Sequence, residues 1–224
     1  MKPSPIPVLH VPRRPAAVVF DLDGTLIDSE HLVLAAHVAV AARLGLPVTR
    51  DQLLSLIGGH RTATEVKLRA YFGPDVHLPD FFAAVTEHIG DAVAPIKPGA
   101  RALMAALDAS AIPFGLATSS GRPWVDKHVA AHGLDGRFRA IISRESVTHG
   151  KPHPEPYLKA AAALGVPPAD VLAIEDSPTG LRSAHAAGMM TVLAPDLLQP
   201  DAATRALALS IIGSLDELLI VFSS

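Results

Sequence analysis

The chain contains no cysteine, which excludes disulfides, thiolate metal sites and a cysteine nucleophile and fits a reducing compartment. It has no Lys/Arg run, and its formal net charge of −3 supplies no basic field for nucleic acid. No apolar stretch reaches the ~18–20 residues of a membrane span. Even the greasy segment from Ala206 to Phe222 is interrupted by Asp216 and Glu217. The 11 histidines are scattered, with no HExxH or close ligand pair, so surface or core histidines are expected rather than zinc ligands. The opening MKPSPIPVLHVPRRP does not read as a signal peptide, because prolines break it and Arg13 and Arg14 come after its apolar part. Residues 1–14 are expected to be a flexible tail on a cytoplasmic protein.

What is present suffices for a core. A hydrophobic fraction of 49% over 224 residues fits one large domain or two small ones, at ~100–200 residues per domain. Short apolar runs at Ala16–Phe20, Pro113–Ala117, Ala140–Ile142, Val171–Ile174 and Thr191–Leu193 predict buried strands. Alanine- and leucine-rich stretches between the later ones, at Ala100–Ala109, Pro123–His132, Pro156–Leu164 and Thr179–Ala187, have helical spacing. Several close on glycine, as at Gly133, Gly165 and Gly188. This alternation predicts an α/β fold, a doubly wound parallel sheet of Rossmann-like type.

The alternation fails after the first strand. From about Glu30 to Val93 the pattern is helical almost throughout, too long for an ordinary strand-to-helix connection. It reads as an inserted α-helical domain over residues 30–94. The core would then comprise residues 15–29 and 95–224, with Pro95–Gly99 as the return hinge.

Polar residues gather where the strands end, which is where parallel sheets bind ligands. The first strand runs into Asp21-Leu22-Asp23-Gly24-Thr25. Residues two apart on an extended backbone share a side, and Gly24 permits a tight turn. The second ends in Thr118-Ser119-Ser120-Gly121, hydroxyls and N–H groups suited to an anion. Lys151 follows the third, and Glu175-Asp176-Ser177 closes the fourth. Packed acids repel one another, and hard oxygen donors suit Mg²⁺ together with a phosphate. The set can run a two-step phosphoryl transfer. Asp21 attacks phosphorus and Asp23 exchanges protons with the leaving oxygen and then with water. The metal, Thr118 and Lys151 offset charge on the phosphoryl oxygens. Ser177 is expected to cap a helix, and Trp124 reads as helix packing.

The matches AVVFDLDGTLIDSE (Ala17–Glu30), LATSS (Leu116–Ser120), GKPHPEPY (Gly150–Tyr157) and AIEDSPTG (Ala173–Gly180) occur in an order that resembles the haloacid dehalogenase superfamily, in its branch with a helical cap after the first strand. The resemblance implies Asp21 as nucleophile, Asp23 as acid/base, and Mg²⁺ held by Asp21, the Asp23 carbonyl, Glu175 and Asp176. It also implies a cap that closes over the substrate. Gly58-Gly59-His60-Arg61 resembles the cap segment of the β-phosphoglucomutase group, with Arg61 as an anion-binding residue. Val33 and Ile57 stand where the mutase carries histidine and lysine, which favours hydrolysis over isomerisation. The expected activity is Mg²⁺-dependent hydrolysis of a small phosphorylated metabolite, such as a sugar phosphate or a phosphoglycolate-like compound. The protein is expected to be a monomer or small homo-oligomer. A phosphosugar mutase and a phospho-receiver domain remain the alternative readings.

Overall fold

The computed structural model describes residues 9–56, 61–73 and 76–222, and of residues 61–63 the backbone alone. Two compact units emerge. One joins the chain up to Ile27 with the chain from Ile96 onward, and the other is Asp28–Pro95.

The first unit is built on six parallel strands, β1 (Ala17–Phe20), β2 (Phe114–Ala117), β3 (Ala140–Ile142), β4 (Val171–Glu175), β5 (Met190–Leu193) and β6 (Ser210–Ile211), in spatial order β3-β2-β1-β4-β5-β6. All four residues of β1 are fully buried, as a strand covered on both faces must be, and this is why its sequence is continuously apolar rather than alternating. On one face Tyr157, Ala160 and Ala161 pack against Ala17, Val19, Ala117 and Ala173. Small residues there let the helix lie close to the sheet.

The sheet-covering helices are α5 (Ala100–Ala109), α6 (Arg122–Ala131), α7 (Glu155–Leu164) and α8 (Pro178–Ala186), with short α9 (Ala202–Arg205) and α10 (Leu219–Phe222) near the C-terminus. The other unit holds α1 (Ser29–Arg43), α2 (Arg50–Leu54), α3 (Arg61–Phe72) and α4 (Leu78–Ile89), and no strand among its described residues. A Thr49/Gln52 capping box starts α2, while Phe72 and Phe81 stack edge-on at 4.8 Å in the unit's interior. His37 joins them, 5.5 Å from Phe81, with Nδ1 against the Val33 carbonyl. Burial lowers its pKa, so it serves as a neutral packing residue.

β6 was not expected. Its two residues pair with the end of β5, Val192 with Ser210 and Leu193 with Ile211, and so short a segment carries no period of its own. The Ser210 hydroxyl also accepts the His10 N–H at 2.6 Å. No described helix is long and apolar enough to cross a membrane.

Candidate active site

Strand register brings the polar residues together. Phe20 pairs with Leu116 on one side and with Ile174 on the other, so Asp21, Thr118 and Glu175 emerge at one sheet edge. The Asp21 N–H donates to the Ile174 carbonyl at 3.0 Å, and the Thr118 N–H to that of Ile142 at 2.9 Å. The chain moves outward from β1 through β2 to β3, then returns to lay β4 on the other side of β1. β1 and β4 therefore flank a topological switch point, where a doubly wound sheet opens a crevice.

Lys151, from the β3–α7 connection, lies between the two acids. Its Nζ donates to Asp21 Oδ1 and to Glu175 Oε1, both at 2.5 Å. The Tyr157 hydroxyl donates to the same Glu175 oxygen at 2.5 Å. The Ser177 hydroxyl donates to Glu175 Oε2 at 3.1 Å while accepting the Gly180 N–H at the start of α8, also at 3.1 Å. Glu175 is wholly buried with both oxygens engaged, the condition under which a buried charge is tolerated. A side chain at position 180 has no room, since a Cβ there would sit 1.9 Å from Glu175 Oε1. The loop carrying Lys151 is anchored by Glu155, which accepts the N–H groups of Thr148 and His149 at 2.9 Å each. Lys159 first, then those two N–H groups, pull the Glu155 carboxyl down to about 2.

The electrostatics follow from burial. Desolvation pushes the Asp21 carboxyl up; Lys151 opposes this, while Glu175 and Asp23 add to it. Burial would lower Lys151, but the Asp21 and Glu175 carboxylates outweigh it and hold the ammonium above the ordinary lysine value. Burial, then Glu175, raises Tyr157, which keeps it a donor. One ammonium thus serves several acids. Oxygens of Asp21, Glu175 and Asp176 lie within 4.8 Å of one another. Such a hard-oxygen set, short of positive charge, fits a divalent cation.

Asp23 is held differently. Its Oδ2 accepts the Ser120 hydroxyl at 2.6 Å and lies 3.4 Å from Thr118 Oγ1, and its Oδ1 accepts the Trp124 indole N–H at 2.8 Å. Gly24 follows at φ 78°, a left-handed turn that glycine adopts without strain. Its N–H closes on the Ile27 carbonyl at 2.9 Å.

Asp21, Asp23, Thr118, Ser120, Lys151, Glu175 and Asp176 thus lie at or beside one end of the sheet. Two contacts add to the sequence reading. The Ser120 hydroxyl, expected beside the anion, donates to Asp23 Oδ2. Trp124, read as helix packing, donates its N–H to Asp23. Tyr157 closes the GKPHPEPY match but was given no role; its hydroxyl on an otherwise apolar face of α7 was the further signal. Ser119 is exposed. Ile57 and Gly58-Gly59-His60 lie outside the described residues, and Arg61 opens α3 with its side chain not described.

The family model for haloacid dehalogenase-like hydrolases matches residues 18–194. Hexitol phosphatase B of Escherichia coli strain K12 is 33% identical over 192 residues, which span 84% of this chain and 86% of that protein. Validoxylamine A 7'-phosphate phosphatase of Streptomyces hygroscopicus subsp. limoneus is 32% identical over 188 residues, 78% of this chain and 83% of that one. The crystal structure of CbbY from Rhodobacter sphaeroides in complex with phosphate superposes with a TM-score of 0.76 at 27% identity, over 91% of this chain and 96% of that chain. With more than half its length matched by that family model, the chain belongs to the haloacid dehalogenase-like hydrolase family.

Proposed function

We propose that the protein is a Mg²⁺-dependent phosphatase that hydrolyses small phosphomonoesters, sugar phosphates among them, through a phosphorylated Asp21. The observation that carries this reading is the contrast between two carboxylates two residues apart. Asp21 is tied to the Lys151 ammonium, whereas Asp23 accepts from the Ser120 hydroxyl and the Trp124 indole. Environments this different divide roles between paired acids. Asp21, with Oδ1 on Lys151, attacks phosphorus and forms the acyl phosphate. The indole N–H can only donate, so Asp23 Oδ1 stays an acceptor and Oδ2 carries the exchanged proton. That proton goes to the leaving oxygen, and Asp23 then takes one from the water that releases phosphate. Lys151 and the Thr118 hydroxyl steady the phosphoryl oxygens. Asp21, the Asp23 carbonyl, Glu175 and Asp176 would hold Mg²⁺, which supplies charge neutralisation for the phosphoryl group. Glu175 also anchors Lys151.

Substrate selection is assigned to the helical unit, whose role is that of a cap, with Arg61 gripping a second anionic group. Relatives named for hexitol and validoxylamine phosphates support a polyhydroxylated substrate. The cysteine-free composition fits a cytoplasmic setting.

A panel of phosphorylated metabolites should release free phosphate in Mg²⁺, lose the activity in EDTA and regain it when Mg²⁺ is returned. Isomerised product without free phosphate would instead identify a mutase. In the same panel, Arg61→Ala should raise KM about tenfold for substrates with a second anionic group, by the loss of a charge-assisted contact, and spare the others. Equal effects on every substrate would remove Arg61 from recognition.

A further inference from the structure

The proposed chemistry requires Asp23 to meet first a leaving oxygen and then a water, with its carboxylate aimed each time. Among the bonds described above, the Ser120 hydroxyl holds Oδ2 and the Trp124 indole holds Oδ1. The indole is itself fixed. Trp124 lies in the first turn of α6. Its ring packs at a tilt against His128, with centroids 4.2 Å apart, and the His128 Nδ1 is bonded to the Trp124 carbonyl at 2.9 Å. His128 is buried, and desolvation lowers its pKa, so the contact is a neutral support. A phenyl ring could serve that packing equally well. What only the indole adds is an N–H 2.8 Å from Asp23 Oδ1.

Resting on the phosphatase reading, we propose that Trp124 is a positioning residue for the catalytic acid: its N–H holds Asp23 Oδ1 and thereby orients Oδ2 for proton exchange with the leaving group. An N–H that can only donate suits this task, because it fixes Oδ1 as an acceptor and leaves Oδ2 for the proton. An orientation error of a fraction of an ångström is costly to a step that depends on hydrogen-bond reach.

The test compares two esters that differ in their need for an acid. 4-Nitrophenyl phosphate expels a stable phenolate unaided, whereas phenyl phosphate expels a much more basic one. With the full-length protein in Mg²⁺, Trp124→Phe should lower kcat/KM for phenyl phosphate about tenfold or more, while the loss on 4-nitrophenyl phosphate stays under about threefold. A burst of one nitrophenolate per enzyme should also appear, because Asp23 is needed again to hydrolyse the phosphoenzyme. Equal losses on both esters would reduce Trp124 to a structural residue, and unchanged or faster turnover of phenyl phosphate would overturn the inference outright. Trp124 is the only tryptophan in the chain. Biosynthetic replacement by benzothienylalanine, with sulfur in place of N–H, therefore repeats the test with ring shape kept should the phenylalanine variant fail to fold. Wild-type release of phosphate, lost in Asp21→Asn, checks the phosphatase reading separately. Inactivity of the wild type toward both esters would count against that reading, whereas a flat ester ratio in the variant counts against Trp124 alone.

Discussion

Asp21→Asn is expected to cut phosphate release by roughly 10⁴-fold or more, the scale on which removal of a covalent nucleophile acts, while leaving the fold intact. Asparagine has the same shape, and its carbonyl oxygen can still accept from Lys151 Nζ, which lies 2.5 Å from Asp21 Oδ1. The change also removes a buried charge from among several acids: burial first, then Glu175 and Asp23, push the Asp21 carboxyl upward against the pull of Lys151. The melting temperature should therefore be unchanged or higher. Acid-quenched labelling with radioactive substrate should detect a hydroxylamine-sensitive phosphoprotein in the wild type and none in the variant. Turnover within tenfold of wild type would sink the nucleophile assignment.

Lys151→Met is expected to damage both stability and rate. The ammonium is 5% exposed and joins two carboxylates that are 8% and 0% exposed. Breaking a buried ion pair from one side costs about 3–5 kcal/mol, since the remaining charges stay desolvated without compensation. Methionine nearly matches the lysine stem in length, so the loss comes from charge rather than from a cavity. Urea unfolding should show the deficit, and Mg²⁺ should restore part of it by binding only the folded state. Turnover should fall about 10²–10³-fold, the usual effect of deleting a group that stabilises charge in the transition state. A variant within about 1 kcal/mol of wild type would contradict the ion-pair description.

The two changes separate functions that the site combines. Asp21 is the proposed nucleophile but is not required for the sheet to form. Lys151 has no covalent step in the proposed reaction, yet it permits two carboxylates to be buried side by side. Glu175 is the fixed end of that arrangement, held by Tyr157 and Ser177 and approached so closely by α8 that only glycine fits at position 180.

Asp21 itself was legible from the start as a carboxylate closing an apolar strand, and so was Asp23 two residues on. Lys151 and the Glu175-Asp176 pair were legible too, because each follows an apolar run that can only be a buried strand. Strand boundaries fell within a residue of those found, except at β6, where two residues leave no periodic signal. Helices that close on a glycine were equally readable, as at α7, which ends on Gly165 in the left-handed conformation. These features are local, and local propensity and burial pattern determine them.

Side-chain partnership is not local. Trp124 and Asp23 are 101 positions apart, and Tyr157 and Glu175 18 apart. Whether the indole faces the core or the acid depends on how α6 is rolled against the sheet, and periodicity places it only on a helix. The sequence by itself determined which chemistry the chain carries, because that depends on residue types at strand ends. Only the tertiary structure decided that Ser120 and Trp124 serve Asp23, and that Glu175 and Tyr157 serve Lys151. Those pairings depend on strand register and helix rotation, which arise when the whole core packs.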